Sequence, residues 1–162
     1  MLRVLFIIVI LLVSFGCGEV TQLEPAEVVE AFLHAQESRD ARLMVSYLSD
    51  GKLSNMGEYV DEIKNGDPNR ILDITRVDIS ESEIRNLNAE TFYILSFEAH
   101  WDMLERMNLE DSGPEYLIGE PRITGDTARV EITERYYNSD EINTWVIVRE
   151  DDRWKIDCYP GP

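Results

Sequence analysis

Residues 124–132 decide the fold class of this chain; they read Thr124-Gly125-Asp126-Thr127-Ala128-Arg129-Val130-Glu131-Ile132. The Gly-Asp pair marks a tight turn, and the apolar residues after it alternate with polar ones, which predicts a β-hairpin. A second hairpin is predicted where Trp145–Val148 and Trp154–Cys158 are joined through the polar turn Glu150–Arg153. Two hairpins in succession predict an antiparallel meander in the second half of the chain.

Three short helices are predicted before this meander. Pro25 suits a first helical turn, Asp40 is predicted to cap a second helix with Gly51 just past its end, and Gly66 closes a third. Their inward-facing residues recur at helical spacing. These residues are Val28, Val29, Phe32 and Leu33, then Met44, Tyr47 and Leu48, then Met56, Tyr59, Val60 and Ile63. Helices followed by antiparallel strands predict an α+β fold.

Two further strands are predicted between the helices and the meander. The stretch 71–79 alternates with one slip in its apolar phase, which suggests a bulge. The stretch 92–103 has an apolar or aromatic residue at every second position, the strongest strand pattern in the chain. Those residues are Tyr93, Leu95, Phe97, Ala99, Trp101 and Met103.

The N-terminus has the pattern of an export signal. Arg3 is followed by an apolar run from Val4 to Val13, which is too short to span a bilayer. Residues 1–16 are predicted to be a signal peptide, and Cys17 after Gly16 resembles the acylated cysteine of a bacterial lipoprotein. Residues 17–24 then form the lipidated cysteine and a polar tether. Residues 14–17 match the lipobox, the cleavage motif of lipoprotein signal peptides, only in part. The alternative is therefore cleavage by an ordinary signal peptidase, which would give a soluble secreted or periplasmic protein.

The chain has two cysteines, Cys17 and Cys158. If Cys17 carries lipid, Cys158 has no partner and is expected to be buried as a small hydrophobic residue. A Cys17–Cys158 disulfide is the alternative in an oxidising compartment.

The charge balance is strongly acidic, with 32 acidic against 15 basic residues and a net charge of −17 over 162 residues. Loss of residues 1–16 removes Arg3 and no acid, so the mature net charge is −18. Such a balance argues against binding to nucleic acid or to anionic lipid head groups, because both would be repelled. The size of the mature chain predicts a single domain over residues 25–162.

Phrases at both ends of this domain resemble the nuclear transport factor two-like superfamily in its bacterial lipoprotein branch. They are residues 25–35, residues 40–42 leading into Tyr47-Leu48-Ser49, residues 125–130, and the closing Trp154-Lys155-Ile156-Asp157. The resemblance implies N-terminal helices packed in a strongly curved antiparallel sheet, a cystatin-like cone with an apolar pocket. The superfamily contains dehydratases, isomerases, ligand carriers and interaction modules, so the fold alone does not select a function.

Two sets of site residues are candidates within this cone. On the predicted strand 92–103, Glu98, His100 and Asp102 share one face, where a carboxylate could orient the imidazole as a general base. That face is equally compatible with the solvated outer side of the sheet. The resemblance implies an apolar pocket, for which the candidate lining residues are Tyr47, Tyr59, Tyr93, Phe97 and Trp101.

The sequence predicts neither a cofactor nor a metal site. It contains no glycine-rich phosphate loop and no G-x-S-x-G motif, and its two histidines lack the spacing of a zinc site. The leading hypothesis is therefore a non-catalytic, lipid-anchored protein of a bacterial cell envelope. It would contact the membrane through its N-terminal lipid and bind a small apolar ligand or another envelope protein. The alternatives are an isomerase- or dehydratase-like enzyme that uses an acid or histidine in the pocket, and a structural module that homodimerises through its sheet.

Overall fold

The computed structural model of the chain describes residues 22–67, 70–71, 80–107, 114–136 and 138–158. The predicted export segment, Cys17 and the tether up to residue 21 lie outside the described residues. The helices are α1 (Pro25–Glu37), α2 (Ala41–Ser46), α3 (Asp50–Asn65), α4 (Glu81–Asn86) and α5 (Ala89–Arg106). The strands are β1 (Glu115–Ile118), β2 (Arg122–Thr124), β3 (Thr127–Arg135), β4 (Asp140–Glu150) and β5 (Arg153–Cys158).

The predicted α+β class is confirmed. The helices precede an antiparallel sheet that curls into a half-barrel, consistent with a cone-like fold. The sheet order is β1-β3-β4-β5, and β2 pairs with the other end of β3. Both predicted hairpins are present. Gly125 takes a φ of +60° in the β2–β3 turn, and Asp151 and Asp152 take φ of +47° and +62° in the β4–β5 turn.

The three predicted helices are also present, and side chains close their ends. The Asp40 carboxylate accepts a hydrogen bond from Leu43 N at 2.9 Å, which satisfies one free amide at the start of α2. At the start of α3 the Ser49 hydroxyl accepts a hydrogen bond from Lys52 N at 2.8 Å. Gly66 is the C-terminal cap of α3, as predicted.

The position expected for Gly51 was wrong. It lies in the first turn of α3 and does not follow α2. A Cβ atom at this position would lie 3.1 Å from Asp157 Oδ1 and 3.6 Å from Ser49 Oγ. Gly51 therefore allows the start of α3 to approach β5 closely.

The strand predicted over residues 92–103 was wrong, because this stretch lies in the 18-residue helix α5. Tyr93, Phe97 and Trp101 are spaced four apart, so they satisfy a helical period as well as strict alternation. Phe92, which directly precedes Tyr93, is also buried, which a strand with one solvated face would not require. The side chain of Asn88 accepts a hydrogen bond from Thr91 N at 2.9 Å and caps the helix start.

The other strand prediction, over residues 71–79, falls mostly outside the described residues. Residues 72–79 are not described, whereas Ile71 is helical and fully buried.

Two hydrophobic clusters lie on either side of α5. The main cluster fills the concave side of the half-barrel between α1, α2, one face of α5 and the inner residues of the sheet. Ala128, Val130 and Ile132 of β3 belong to it, and all three are fully buried. The second cluster joins α3, Ile71, α4 and Phe92 on α5. Helix α5 thus needs apolar residues on two sides, which explains the apolar run Phe92-Tyr93-Ile94-Leu95 in its sequence.

Candidate functional site

A groove lies where the described chain begins. We call it the junction groove, because the residues before α1, the end of α2 and the β4–β5 turn meet there. Its volume is about 640 Å³. It is lined by Gln22, Leu23, Val28, Ser46, Tyr47, Asp151, Asp152, Arg153, Trp154 and Lys155.

A short parallel bridge positions one wall of this groove. Leu48 pairs with Ile156 in β5, so the segment that leaves α2 runs along the outer edge of the sheet. Ile156 N donates to Tyr47 O at 2.8 Å, and Ser49 N donates to Ile156 O at 2.9 Å. The Lys155 ammonium also donates to Ser46 O. These bonds hold Tyr47 beside β5, since backbone groups at a sheet edge otherwise lack partners.

A buried polar contact also holds this wall of the groove in place. The fully buried Ser49 hydroxyl donates to Asp157 Oδ1 at 2.6 Å. Asp157 lies where the β4–β5 pairing shifts register, between the pairs Val146–Cys158 and Ile147–Ile156. The Glu150 carboxylate accepts from Asp50 N at 2.9 Å. The groove therefore rests on a rigid junction between α3 and β5.

The chemistry of the junction groove is mixed. Val28 and Trp154 are buried in its floor, Tyr47 is half-buried, and Asp151 and Arg153 are exposed at its rim. The Arg149 guanidinium lies 5.9 Å from the centroid of the Trp154 ring and 3.6 Å from Asp152 Oδ1. Apolar area, cationic groups and carboxylates thus face one cavity, a combination suited to orienting an amphiphilic ligand.

The concave side of the half-barrel is occupied by aromatic side chains. Tyr93 and Phe97 stack at 5.9 Å between ring centroids, and Phe97 and Trp101 stack at 6.2 Å. Phe32 meets Trp145 edge-to-face at 5.7 Å. Burial raises the pKa of the Tyr93 hydroxyl to about 12, so that hydroxyl stays protonated at neutral pH. These side chains form a packed core.

The five candidate pocket residues do not come together. Tyr93, Phe97 and Trp101 lie in a row on one face of α5. Tyr47 lies in the junction groove, and Tyr59 packs edge-to-face on Phe92 in the second cluster at 6.2 Å. The structure therefore distributes the predicted lining residues over two cores and one groove.

The candidate acid–base residues Glu98, His100 and Asp102 lose their common face in the helix. Residues two apart share a face on a strand but are about 200° apart around a helix. Glu98 and Asp102 are exposed, and His100 is half-buried on the other side. The spacing that would place a carboxylate beside the imidazole on a strand thus separates them in α5.

Two other side chains, His34 and Cys158, are exposed. His34 is exposed, and its Nδ1 lies 3.2 Å from Glu37 Oε2. Cys158 is an exposed free cysteine, so the expectation that it would be buried was wrong. It ends β5 opposite Val146, a position on the outer side of the sheet. Among the residues that the structure describes, no three His, Cys, Asp or Glu side chains group as metal ligands would.

A second cavity of about 440 Å³ lies on the outer, convex face of the sheet. It forms where Gly119 interrupts the edge between β1 and β2 and donates from its N to Glu131 O at 2.8 Å. Arg122 and Arg129 are direct cross-strand partners at this cavity, and Arg122 lies 3.3 Å from Glu131 Oε1. One of the two arginines at this cavity is thus paired with a carboxylate of the protein itself.

Sequence reasoning missed the charged part of the junction groove. It assigned residues 150–153 to a hairpin turn and Trp154 to the following strand, and both assignments are confirmed. The run Asp151-Asp152-Arg153-Trp154-Lys155, in which charges of both signs flank a tryptophan, was the available signal.

No protein-family model matches this sequence, and no curated protein or solved structure is significantly similar to it. Over the described part of the chain, no helix is both long enough and apolar enough to cross a membrane.

Proposed function

We propose that this protein is a non-catalytic binding domain, exported and anchored through Cys17 to the membrane of a bacterial cell envelope. In this proposal it binds a small amphiphilic or apolar ligand, or another envelope protein, at the junction groove. The filled concave side of the half-barrel is the observation that supports a non-catalytic function. Phe97 and Trp101 occupy the volume in which a cone-shaped enzyme would hold its substrate.

The position of the groove supports the proposed membrane anchor at Cys17. Gln22 and Leu23 line it, and only four residues separate Gln22 from Cys17. A binding site at that end of the domain would face the membrane that holds the lipid. The export pattern of residues 1–16 and the polar composition of residues 18–24 are the sequence features that agree with this arrangement.

We further propose membership of the nuclear transport factor two-like superfamily. The support is the order of elements, with helices first and a curled antiparallel sheet last, together with the phrases at residues 25–35 and 125–130. The helical conformation of residues 92–103 departs from the strand that their alternating apolar pattern predicted.

The enzyme alternative is less well supported. It needs an acid or histidine that faces a cavity with a partner to orient it. Glu98 and Asp102 face solvent, and the Tyr93 hydroxyl has a pKa of about 12, too high for a base at neutral pH.

A specific observation favours homodimerisation as a second candidate function. Leu117, Thr133 and Ile142 form one row across β1, β3 and β4 on the convex face. Leu117 is 42% exposed and Ile142 is 71% exposed. We expect sedimentation of wild type and Ile142→Glu to differ if this row is a dimer contact. Identical monomeric behaviour of both proteins would remove this candidate.

Membrane partition tests the proposal that the protein is anchored to a membrane through Cys17. Wild-type protein should sediment with membranes and resist high-salt extraction, whereas Cys17→Ala should appear in the soluble fraction. A Cys158→Ala variant is the matched control and should partition like wild type. If Cys17→Ala remains with the membrane to the same extent as wild type, the lipid anchor is wrong.

A further inference from the structure

The junction groove presents two cations, two carboxylates and an apolar floor to a single cavity. We propose that it binds the zwitterionic head group of a phospholipid, with its phosphate and its ammonium, in the leaflet that carries the lipid on Cys17. This inference rests on the proposed anchoring for its geometry, and it adds a ligand class and an orientation of the domain on the membrane.

Arg153 supplies the cationic side. Its side chain is exposed at the groove, and no described residue forms an ion pair with its guanidinium. Planar guanidinium groups bind phosphate oxygens through two parallel hydrogen bonds. Lys155 lies two residues further along β5, and its ammonium donates one of its three hydrogens to Ser46 O. Arg153 is the more exposed of the two cations, and its planar guanidinium makes it the group suited to a phosphate.

Asp151 and Asp152 supply the anionic side. They occupy the two central positions of the β4–β5 turn, directly before Arg153, so the carboxylates lie next to the cation along the same edge. Asp152 is already paired with Arg149 at 3.6 Å, whereas the Asp151 carboxylate has no partner among the described residues. A carboxylate next to a guanidinium matches the adjacent ammonium and phosphate of a zwitterionic head group.

The floor of the groove suits the part of a lipid below its phosphate. Trp154 and Tyr47 are aromatic side chains with one polar atom each, the kind that is enriched at membrane–water interfaces. Leu23, which is 39% exposed, lines the groove from the tether side. An acylglycerol segment would cover this area and remove it from water.

The length of the tether places the groove at the bilayer surface. Five peptide steps separate Cys17 from Gln22, which span at most about 18 Å when fully extended. Because Gln22 itself lines the groove, the acylated cysteine cannot lie farther than that from it. A lipid head group beside the anchor is thus within reach without any movement of the domain.

The net charge of the protein determines which lipid head groups we expect the groove to bind. At −18 in the mature form, the protein repels anionic head groups over several ångströms, whereas a neutral head group experiences only the local pair of charges. We therefore expect phosphatidylethanolamine to bind and phosphatidylglycerol to bind much less tightly.

Titration calorimetry on the full-chain protein, extracted from membranes and kept in amphipol, tests the proposal. The probes are dihexanoyl-phosphatidylethanolamine, dihexanoyl-phosphatidylglycerol and inorganic phosphate, all below any micelle-forming concentration. Saturable binding of one molecule of the ethanolamine lipid is expected. Arg153→Glu should weaken it by about a hundred-fold or more, because two charge-assisted hydrogen bonds are lost and a carboxylate then faces the phosphate. Arg129→Glu on the convex face is the matched control, and its affinity should equal that of wild type.

Three results would overturn the proposal: no saturable binding, equal binding of both lipids, or loss of affinity in Arg129→Glu with none in Arg153→Glu. Phosphate alone binding as tightly as the lipid would overturn the head-group assignment. The intact mass of the same sample reports separately whether Cys17 is acylated. Acylated protein without lipid binding refutes the groove proposal alone, and lipid binding by unacylated protein refutes the anchor alone.

Discussion

Replacement of Phe97 by alanine distinguishes a filled half-barrel from a ligand pocket. Phe97 is 7% exposed and stacks on Tyr93 on one side and on Trp101 on the other, with centroid distances of 5.9 and 6.2 Å. Truncation of a buried phenylalanine costs about 3–5 kcal/mol in transfer and cavity terms. Alanine is the better helix former by about 0.5 kcal/mol. The expected net loss in the free energy of unfolding is therefore roughly 3–4 kcal/mol.

Urea denaturation followed by tryptophan fluorescence and by far-UV circular dichroism measures this loss. The midpoint should fall while the slope of free energy against urea stays constant, because the same surface is exposed on unfolding. The matched control is Glu98→Ala, one residue along the same helix but exposed to solvent, which should stay within about 0.5 kcal/mol of wild type.

A small effect would refute the packing argument. If Phe97→Ala lost less than about 1 kcal/mol, the ring would have no close neighbours on the concave side. The half-barrel would then contain open space, and a ligand or substrate site inside it would return as the better hypothesis.

Three further predictions concern the wall of the groove, the β4–β5 turn and the titration of Tyr93 in the main cluster. Ser49→Ala should lose roughly 1–3 kcal/mol in urea unfolding, because the helix cap is lost and the Asp157 carboxylate loses its 2.6 Å partner. Replacing Asp151-Asp152 by Asn-Gly should raise stability by roughly 0.5–1 kcal/mol in thermal unfolding, since both positions have positive φ. Wild-type stability should fall as pH rises from 10 towards 12, because the Tyr93 pKa of about 12 in the folded state exceeds its unfolded value of 10.0. Tyr93→Phe should show a shallower fall over that window.

The Ser49 and Tyr93 predictions have comparison variants. Asp157→Asn keeps an acceptor for the Ser49 hydroxyl and should lose less than Ser49→Ala does. If the free energy of unfolding of Ser49→Ala equalled that of wild type, the α3–β5 contact would contribute nothing to stability. The alkaline stability of Tyr93→Phe is compared with that of Tyr136→Phe. A hydrogen bond with Glu134 and burial raise the pKa of Tyr136 to about 12 as well. If Tyr93→Phe matched wild type throughout, the buried position of Tyr93 would be wrong.

The hairpins and the first three helices were predictable because their signals are local. A turn with Gly125 beside alternating residues, or Asp40 ahead of an apolar stripe, has the same meaning in most folds. The error at Gly51 came from a contact distant in sequence. The glycine permits an approach to Asp157, and a sequence gives no sign of that partner.

Helix α5 was not predictable from periodicity. Tyr93, Phe97 and Trp101 fit both a strand and a helix, and the deciding fact is that Phe92 faces a second cluster. That cluster includes Ile71 and helix α4, whose positions depend on tertiary packing. The candidate acid–base face disappeared together with the strand.

The junction groove could not be predicted for a related reason. It joins residues 22–28, 46–47 and 151–155, which are distant in sequence and meet through tertiary contacts such as the bridge between Leu48 and Ile156. Each segment by itself has an ordinary explanation as a tether, a helix end or a turn. Their shared surface exists only in the folded chain.

Hydrogen exchange of the full-chain protein tests most directly whether binding occurs at the tethered end of the domain. Backbone amides of residues 22–24 and 151–152 should exchange more slowly in phosphatidylethanolamine-containing nanodiscs than in detergent micelles. Residues 119–122 on the convex face should exchange equally in both. Slower exchange at residues 119–122, with no change at residues 22–24 and 151–152, would contradict the account.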